Sequence, residues 1–165
     1  MLFTIKYLAV FVIFTLVVTS CTTPNTNHAG EINAKASFPA DFKFQQKGLK
    51  VITSSINKRA NTTSVLYGNA VAQKFARELN PIDSTGVVMT LVTWNQEDDD
   101  RWFGARIPGN LLCVETVTIT GTANKPIKNF RLYSGASLTK QTVTDALESD
   151  PRITFILSQK ASILP

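Results

Sequence analysis

The feature that most constrains this chain is the apolar run near its N-terminus and the cysteine that follows it. Lys6 supplies a positive charge, Tyr7–Val18 are almost wholly apolar, and small residues then lead to Cys21. This order is typical of a secretory signal peptide. A run of roughly a dozen apolar residues is too short for a membrane-spanning helix, which needs about 20. The pattern predicts that residues 1–20 are a signal peptide removed on export.

The segment Val18-Thr19-Ser20-Cys21 resembles the bacterial lipobox. In lipobox proteins the cysteine thiol takes a diacylglyceryl group, and cleavage leaves that cysteine as the first residue of the mature chain. Acyl chains such as palmitate would hold the protein on a membrane, because each buried methylene contributes about 0.8 kcal/mol. Thr22, rather than an aspartate, resembles the choice in lipoproteins sent to the outer membrane instead of the inner one. An ordinary secretory signal with an incidental cysteine is the alternative.

Residues 21–37 are predicted to be a lipidated tether. They are rich in Thr, Asn and Ala, and they have too few apolar side chains to offset the entropy of ordering. The tether contains His28, the only histidine of the chain. A lone histidine in a linker is usually solvated, so we expect no Ser-His-Asp, Cys-His or His-rich zinc site in the folded part.

Cysteine and charge content narrow the class of protein further. With Cys21 lipidated, Cys113 is the one remaining thiol, so an intrachain disulfide framework is excluded. Cys113 lies in the apolar run Leu111–Val114, which favours a buried, inert cysteine over a reactive one. The net charge is +5, but the Lys and Arg residues are scattered singly. We therefore expect no nucleic-acid partner.

Residues 38–165 have the size and apolar content of a single domain. Strand-like patterns occur at 63–67, 87–94, 102–107, 111–120 and 127–133. The strongest of them, 87–94, is expected to be central. The acidic run within Asn95–Asp100 and the turn residues Pro108-Gly109-Asn110 are expected to separate three of these strands into a meander.

Helices are expected at 70–79, 142–147 and 150–163. Asn69 is a suitable N-cap for the first helix, and Asp150, followed by a proline, for the last. Val71, Phe75 and Leu79 recur every four residues and predict the buried face of the first helix. The fold class is therefore α+β, with an antiparallel meander of about four to five strands and flanking helices.

Trp94, Trp102, Phe103 and Arg106 are the candidate pocket residues. Arg106 can hold an anion or carboxylate through two hydrogen bonds, and strand alternation would place it on the same face as Trp102. The alternative is that the aromatic residues are core and that Arg106 is a surface cation or pairs with Glu115.

The four consecutive acids Glu97–Asp100 could gather a hard cation such as calcium, but their spacing is not that of an EF-hand. Such a run at a hairpin tip usually forms a solvated turn. We therefore predict no metal site.

Four stretches carry a family resemblance: Val65–Ala72, Leu91–Trp94, Arg101–Pro108 and Ile156–Ser162. They span most of the domain. The two central stretches, each of which contains a tryptophan, are the most specific for the family. They resemble exported bacterial proteins grouped with the cytochrome P-460 family. That resemblance implies a mainly antiparallel sheet with flanking helices, a haem in an aromatic pocket, and a redox role toward hydroxylamine or nitric oxide.

This chain departs from the haem-bearing members of that family, which attach haem through a CxxCH motif towards the C-terminus. It contains no such motif, and Leu147–Asp150 stands roughly where one would be sought. Without covalent attachment, Cys113 or a tyrosinate would have to serve as the axial ligand. No catalytic residue can be assigned, so whether the protein is an enzyme stays open.

Two functions follow from this reading. The first is a membrane-anchored, periplasm-facing module that binds a small ligand or an envelope partner without covalent haem. The alternative is a redox protein with noncovalent haem that acts on hydroxylamine or nitric oxide. A third hypothesis, a purely structural envelope protein, predicts that Trp102 and Arg106 are sealed in a core or a surface ion pair.

Mass spectrometry of the protein isolated from membranes should find a mature chain that begins at Cys21 and carries acyl chains. The substitution Cys21→Ser removes the thiol that is acylated, so it should abolish the added mass. An unmodified cysteine at the start of the mature chain would instead support the ordinary secretory signal.

Overall fold

The strand-forming segments of the chain build one antiparallel sheet of six strands. The computed structural model describes residues 32–44, 48–78, 83–135, 137–141 and 146–162. The strands are β1 (Lys50–Asn57), β2 (Thr62–Gly68), β3 (Val88–Asp98), β4 (Arg106–Thr122), β5 (Lys125–Ser134) and β6 (Thr139–Gln141). They lie in the sheet in chain order, each antiparallel to the next. The α+β class is confirmed, but the sheet has six strands rather than four to five.

The two strands absent from the prediction lie at the edges of the sheet. In β1, Ile52 is buried while Val51 and Ile56 are exposed, and a register shift interrupts its pairing with β2 after Val51. Strand β6 has three residues and pairs with Leu132–Ser134. Edge strands pair on one side only and are often short or irregular, so their sequences carry a weak alternation signal.

Strand β3 is buried on both faces, as its nearly continuous apolar run predicts. Met89 and Leu91 pack on one face, and Val92 and Trp94 pack on the other. Because β3 pairs with β2 and β4, it has neighbours on both sides as well. Its predicted central position is confirmed, and each face of the sheet needs a cover.

The region between β3 and β4 differs from the prediction. Strand β3 does not end at Trp94 but continues to Asp98, so that it includes the first two of the four acids. Residues 102–107 are not a separate strand, because β4 begins at Arg106 after a turn. The three residues Pro108-Gly109-Asn110 lie inside β4 rather than in a turn.

Local pairing explains why Pro108 and Gly109 fit inside a strand. The register with β3 shifts on either side of Trp94, and such irregularities tolerate a residue that has no backbone N–H. A Cβ atom at Gly109 would lie 2.6 Å from the side chain of Glu97. Glycine therefore allows the two strands to approach where a larger residue would clash.

Two helices, α1 (Ala70–Arg77) and α2 (Ala146–Ser158), cover one side of the sheet, which we call the helix face. Their buried side chains join the sheet in a single core cluster. The cluster contains Ile52, Leu66, Ala72, Ala76, Val87, Met89, Leu91, Val117, Ile119, Ile153 and Ile156.

The opposite side, which we call the aromatic face, is covered by residues 33–44, the N-terminal segment. The rings of Phe38 and Phe44 stack with centroids 4.6 Å apart, and Phe44 meets Tyr67 edge-on at 4.9 Å. Phe42 meets Tyr133 edge-on at 5.5 Å. Aromatic pairs in these geometries stabilise a core beyond the area they bury.

The end of the predicted tether, residues 33–37, belongs to the same compact unit as the sheet. The compact unit starts at Asn33, whose side chain accepts a hydrogen bond from the backbone N–H of Ala36 and caps a 3-10 helix, Ala34–Ala36. The end of the predicted tether is therefore ordered against the sheet. The predicted signal peptide, Cys21 and His28 lie outside the described residues.

Helix α1 confirms the predicted N-cap but not the predicted buried face. Ala72 and Ala76 are buried, whereas Val71 is exposed and Phe75 is partly buried. A Cβ atom at Gly68 would lie 2.7 Å from the Cβ of Ala72, so small residues let the helix lie close to the end of β2. Residue 79, the third residue of the predicted buried face, lies outside the described residues.

Helix α2 is one helix where the pattern predicts two. It runs through Pro151, which was expected to begin a helix, and it ends at Ser158 rather than at residue 163. Burial of Ile153 and Ile156 against the sheet stabilises the helix despite the missing N–H of the proline. Residues 142–145 of the predicted short helix lie outside the described part. Within the described ranges, no helix is long and apolar enough to cross a bilayer.

Asn69→Ala should lower the free energy of unfolding by about 2 kcal/mol. The Asn69 side chain accepts hydrogen bonds from Ala72 N (2.9 Å) and Val88 N (3.3 Å), and it donates to Gly86 O (2.8 Å). Asn69→Asp is the matched control, because it keeps both acceptor contacts and loses only the donor. Urea unfolding of the two variants should therefore separate them, and equal losses would contradict the capping role.

Candidate functional site

Trp94, the first of the predicted pocket residues, lies in the core of the aromatic face. Its side chain is 7% exposed, and its Nε1 donates a hydrogen bond to the backbone carbonyl of Ala36 at 2.8 Å. The ring of Phe38 lies 6.4 Å away, centroid to centroid. Both the polar edge and the apolar surface of this indole are therefore occupied by protein contacts.

Trp102 and Phe103 lie together in the turn between β3 and β4, Asp99–Ala105, which we call the aromatic turn. Trp102 is 71% exposed and Phe103 is fully exposed. The two residues are adjacent at the tip, far less enclosed than Trp94. The expectation that Trp102 and Arg106 share one face of a strand is wrong, because residue 102 belongs to the turn.

The backbone of the aromatic turn is fixed by its own hydrogen bonds. Asp99 N donates to Ala105 O at 3.0 Å, and Ala105 N donates to Trp102 O at 2.9 Å. The carboxylate of Asp99 also accepts a hydrogen bond from Arg101 N at 2.8 Å. Gly104 adopts φ +79°, a conformation that favours glycine. The turn thus presents its aromatic side chains from a defined backbone.

Arg106 braces the base of the aromatic turn. Its Nε lies 3.2 Å from the Asp98 carboxylate, and its Nη2 donates to the side-chain oxygen of Asn61 at 2.6 Å. It does not pair with Glu115, which was the alternative drawn from the sequence. The surface ion pair of Arg106 agrees with the structural-protein hypothesis, whereas the exposure of Trp102 does not.

Ion pairing neutralises three of the four consecutive acids. The pairs are Lys35 with Glu97 at 3.0 Å, Arg101 with Asp99 at 3.6 Å, and Arg106 with Asp98 at 3.2 Å. In the described part of the chain, no group of three or more His, Cys, Asp or Glu side chains is placed to hold a metal ion. The acids therefore contribute to the local structure of this end of the sheet.

A buried ion pair on the helix face was not found from the sequence. The Glu115 carboxylate is 5% exposed and accepts two hydrogen bonds from Arg152 of α2, one of them at 2.7 Å from Nε. The Arg152 guanidinium also lies 5.1 Å from the centre of the Phe155 ring. A glutamate within the apolar pattern of β4 was the available signal, but its partner is 37 residues away.

Cys113 lies two residues from Glu115 in β4 and is half-buried. Burial raises the pKa of its thiol, and the negative charge of Glu115 raises it further, while a hydrogen bond with Thr93 opposes the shift. Burial also raises the pKa of Tyr67. Both shifts favour the neutral thiol and the neutral phenol, and the ring of Tyr67 packs edge-on against Phe44.

Two open grooves lie elsewhere on the surface. One, of about 660 Å³, is bordered by Val71, Lys74 and Phe75 of α1. The other, of about 310 Å³, lies between the N-terminal segment and β4, next to Phe38 and Leu111. None of the four predicted pocket residues lines either groove.

Comparison with protein-family models gives no match to this chain, and comparison with curated proteins gives none either. The resemblance to the cytochrome P-460 family thus stays a prediction from the four sequence stretches.

Arg152→Ala should lower the free energy of unfolding by about 3 kcal/mol, because it leaves the buried Glu115 carboxylate without its partner. Glu115→Gln should lower it by only about 1 kcal/mol, since glutamine is neutral and Arg152 still reaches solvent. Urea unfolding monitored by circular dichroism measures both. A loss for Arg152→Ala no larger than that for Glu115→Gln would contradict a buried charge pair.

Proposed function

We propose that the protein is a lipid-anchored component of the bacterial cell envelope that faces the periplasm. In this proposal its domain is of the cytochrome P-460 type without haem, and it binds an envelope partner through the aromatic turn. The observation that carries the proposal is the exposure of Trp102 and Phe103 on a turn whose backbone is held by its own hydrogen bonds.

Two exposed aromatic side chains supply binding energy at a small site. Burying a large apolar side chain contributes about 1.5–3 kcal/mol. Tryptophan is also enriched among the residues that dominate binding energy at interfaces. Because the turn is ordered before any contact, little conformational entropy would be lost on binding.

The form of the turn favours a macromolecular partner over a small ligand. Sites for small molecules are concave and enclose most of their ligand. Trp102 and Phe103 instead project into solvent, and Trp94 is engaged with Ala36. We therefore assign the proposed binding role to Trp102 and Phe103, with Arg106 bracing the turn.

The anchor and the absence of haem rest on the sequence. The Val18–Cys21 segment supports lipidation of Cys21, and Thr22 supports the outer membrane as its destination. The missing CxxCH motif supports a domain without covalent haem. A Soret absorption band in protein purified from a haem-replete periplasm would contradict this part of the proposal.

A photoreactive phenylalanine analogue at position 103 tests the binding role in cells that make the full lipidated chain. Phe103 is fully exposed, so the replacement should leave the fold intact. The matched control carries the analogue at Ile127, which is 59% exposed in β5. We expect a discrete crosslinked product from position 103 that position 127 does not give. The same products from both positions, or none from position 103, would exclude the aromatic turn as the binding site.

A further inference from the structure

The N-terminal segment joins the sheet beside the aromatic turn. The side chain of Asn33 donates to Pro108 O at 2.7 Å, and Lys35 pairs with Glu97. Pro108 pairs with Gln96, which is two residues before the last residue of β3, Asp98. Asn33, Lys35 and the aromatic turn therefore lie at the same end of the sheet.

The aromatic turn shares this end of the sheet with the β1–β2 turn. Strand β2 pairs with β3 only as far as Asn95, whereas β3 and β4 stay paired to Asp98 and Arg106. Three further residues extend a strand by roughly 10 Å. Asn61 of the β1–β2 turn also bonds to Gln96 and Arg106, so the two turns lie side by side at this end.

The charges around the aromatic turn are nearly balanced. Three of the four acids are paired with cations, and Asp100 forms no ion pair with the part of the chain that the structure describes. Lys58 and Arg59 lie in the neighbouring β1–β2 turn, which Asn61 joins to Arg106. A balanced surface with exposed aromatic side chains is suited to a zwitterionic lipid interface, where tryptophan prefers to lie.

We propose that the aromatic turn is a second membrane contact, in which Trp102 and Phe103 enter the interface of a zwitterionic phospholipid bilayer. This inference rests on the proposed function and names the partner as the membrane that holds the Cys21 lipid. The acyl chains on Cys21 would hold the protein on the membrane without fixing the orientation of the domain, and a second contact supplies that orientation. The contact would also orient the domain, with its β4–β5 turn directed away from the bilayer.

The length of the intervening chain is compatible with this arrangement. Asn33 follows Cys21 by twelve positions. Such a stretch spans at most about 40 Å when fully extended. The anchor thus limits how far the aromatic turn can be from the bilayer surface.

Fluorescence quenching by brominated lipid tests the contact directly, because Trp94 and Trp102 are the two tryptophans of the chain. The full lipidated protein is reconstituted into phosphatidylcholine vesicles with or without bromine near the headgroup end of the acyl chains. We expect wild-type emission to fall in brominated vesicles. The variant Trp102→Phe, which reports only the buried Trp94, should lose that quenching. Phe103→Ser should reduce it.

The matched control is the double variant Trp102→Phe/Ile127→Trp, which moves an exposed tryptophan to the opposite end of the sheet, next to the β4–β5 turn. Its emission should not respond to bromine. Equal quenching of this control and the wild type, or quenching that requires added phosphatidylglycerol, would overturn the assignment.

The outcome can be separated from that of the proposed function. If wild-type emission is unchanged by bromine while position 103 crosslinks to a protein, the membrane contact is wrong and the binding role of the turn stands. If bromine has no effect and position 103 gives no specific product, both fail. A phospholipid adduct at position 103 together with quenching of Trp102 would support both.

Discussion

The hydrogen bond from the Trp94 indole to the carbonyl of Ala36 connects the central strand β3 to the N-terminal segment. A buried indole N–H needs an acceptor, and the N-terminal segment supplies it through Ala36. That segment in turn brings Phe38 and Phe44 over the sheet, which closes the second face of β3. It also fixes where the chain leaves the domain, beside the base of the aromatic turn.

Under the proposed function, stability and recognition depend on different parts of one hairpin. The paired portion of β3 and β4 is buried between the helix face and the aromatic face, where apolar clusters and the Glu115–Arg152 pair hold the sheet. Beyond Asp98 the same two strands leave the core and end in a turn that is held by local hydrogen bonds. Trp102 and Phe103 on that turn are exposed and contribute little to the core.

The sequence predicted well those features that depend on local burial and less well those that depend on pairing. Apolar residues in the sequence indicate strands β2, β3 and β5. The side chain of Asn69 indicates the start of helix α1. Pro108 and Gly109 are residue types that favour turns, and the sequence therefore predicted a turn. The irregular register opposite Trp94 accommodates them in strand β4 instead. Trp94 and Trp102 have the same side chain, and only the position at which β3 ends makes one core and the other exposed. Glu115 could not be matched to Arg152 because no local pattern links them.

The edges of the sheet determine whether copies of the protein can pair with one another through their strands. Unpaired strand edges recruit other chains, and a surface that confines proteins to two dimensions brings copies together often. Here one edge is interrupted by the register shift after Val51, and the other ends in the three residues of β6. Within the described residues, the rest of this second edge is Lys125–Arg131 of β5, where Pro126 and three cationic side chains oppose strand addition. The fold can therefore expose two aromatic side chains at one end without also promoting edge-to-edge aggregation along its sides.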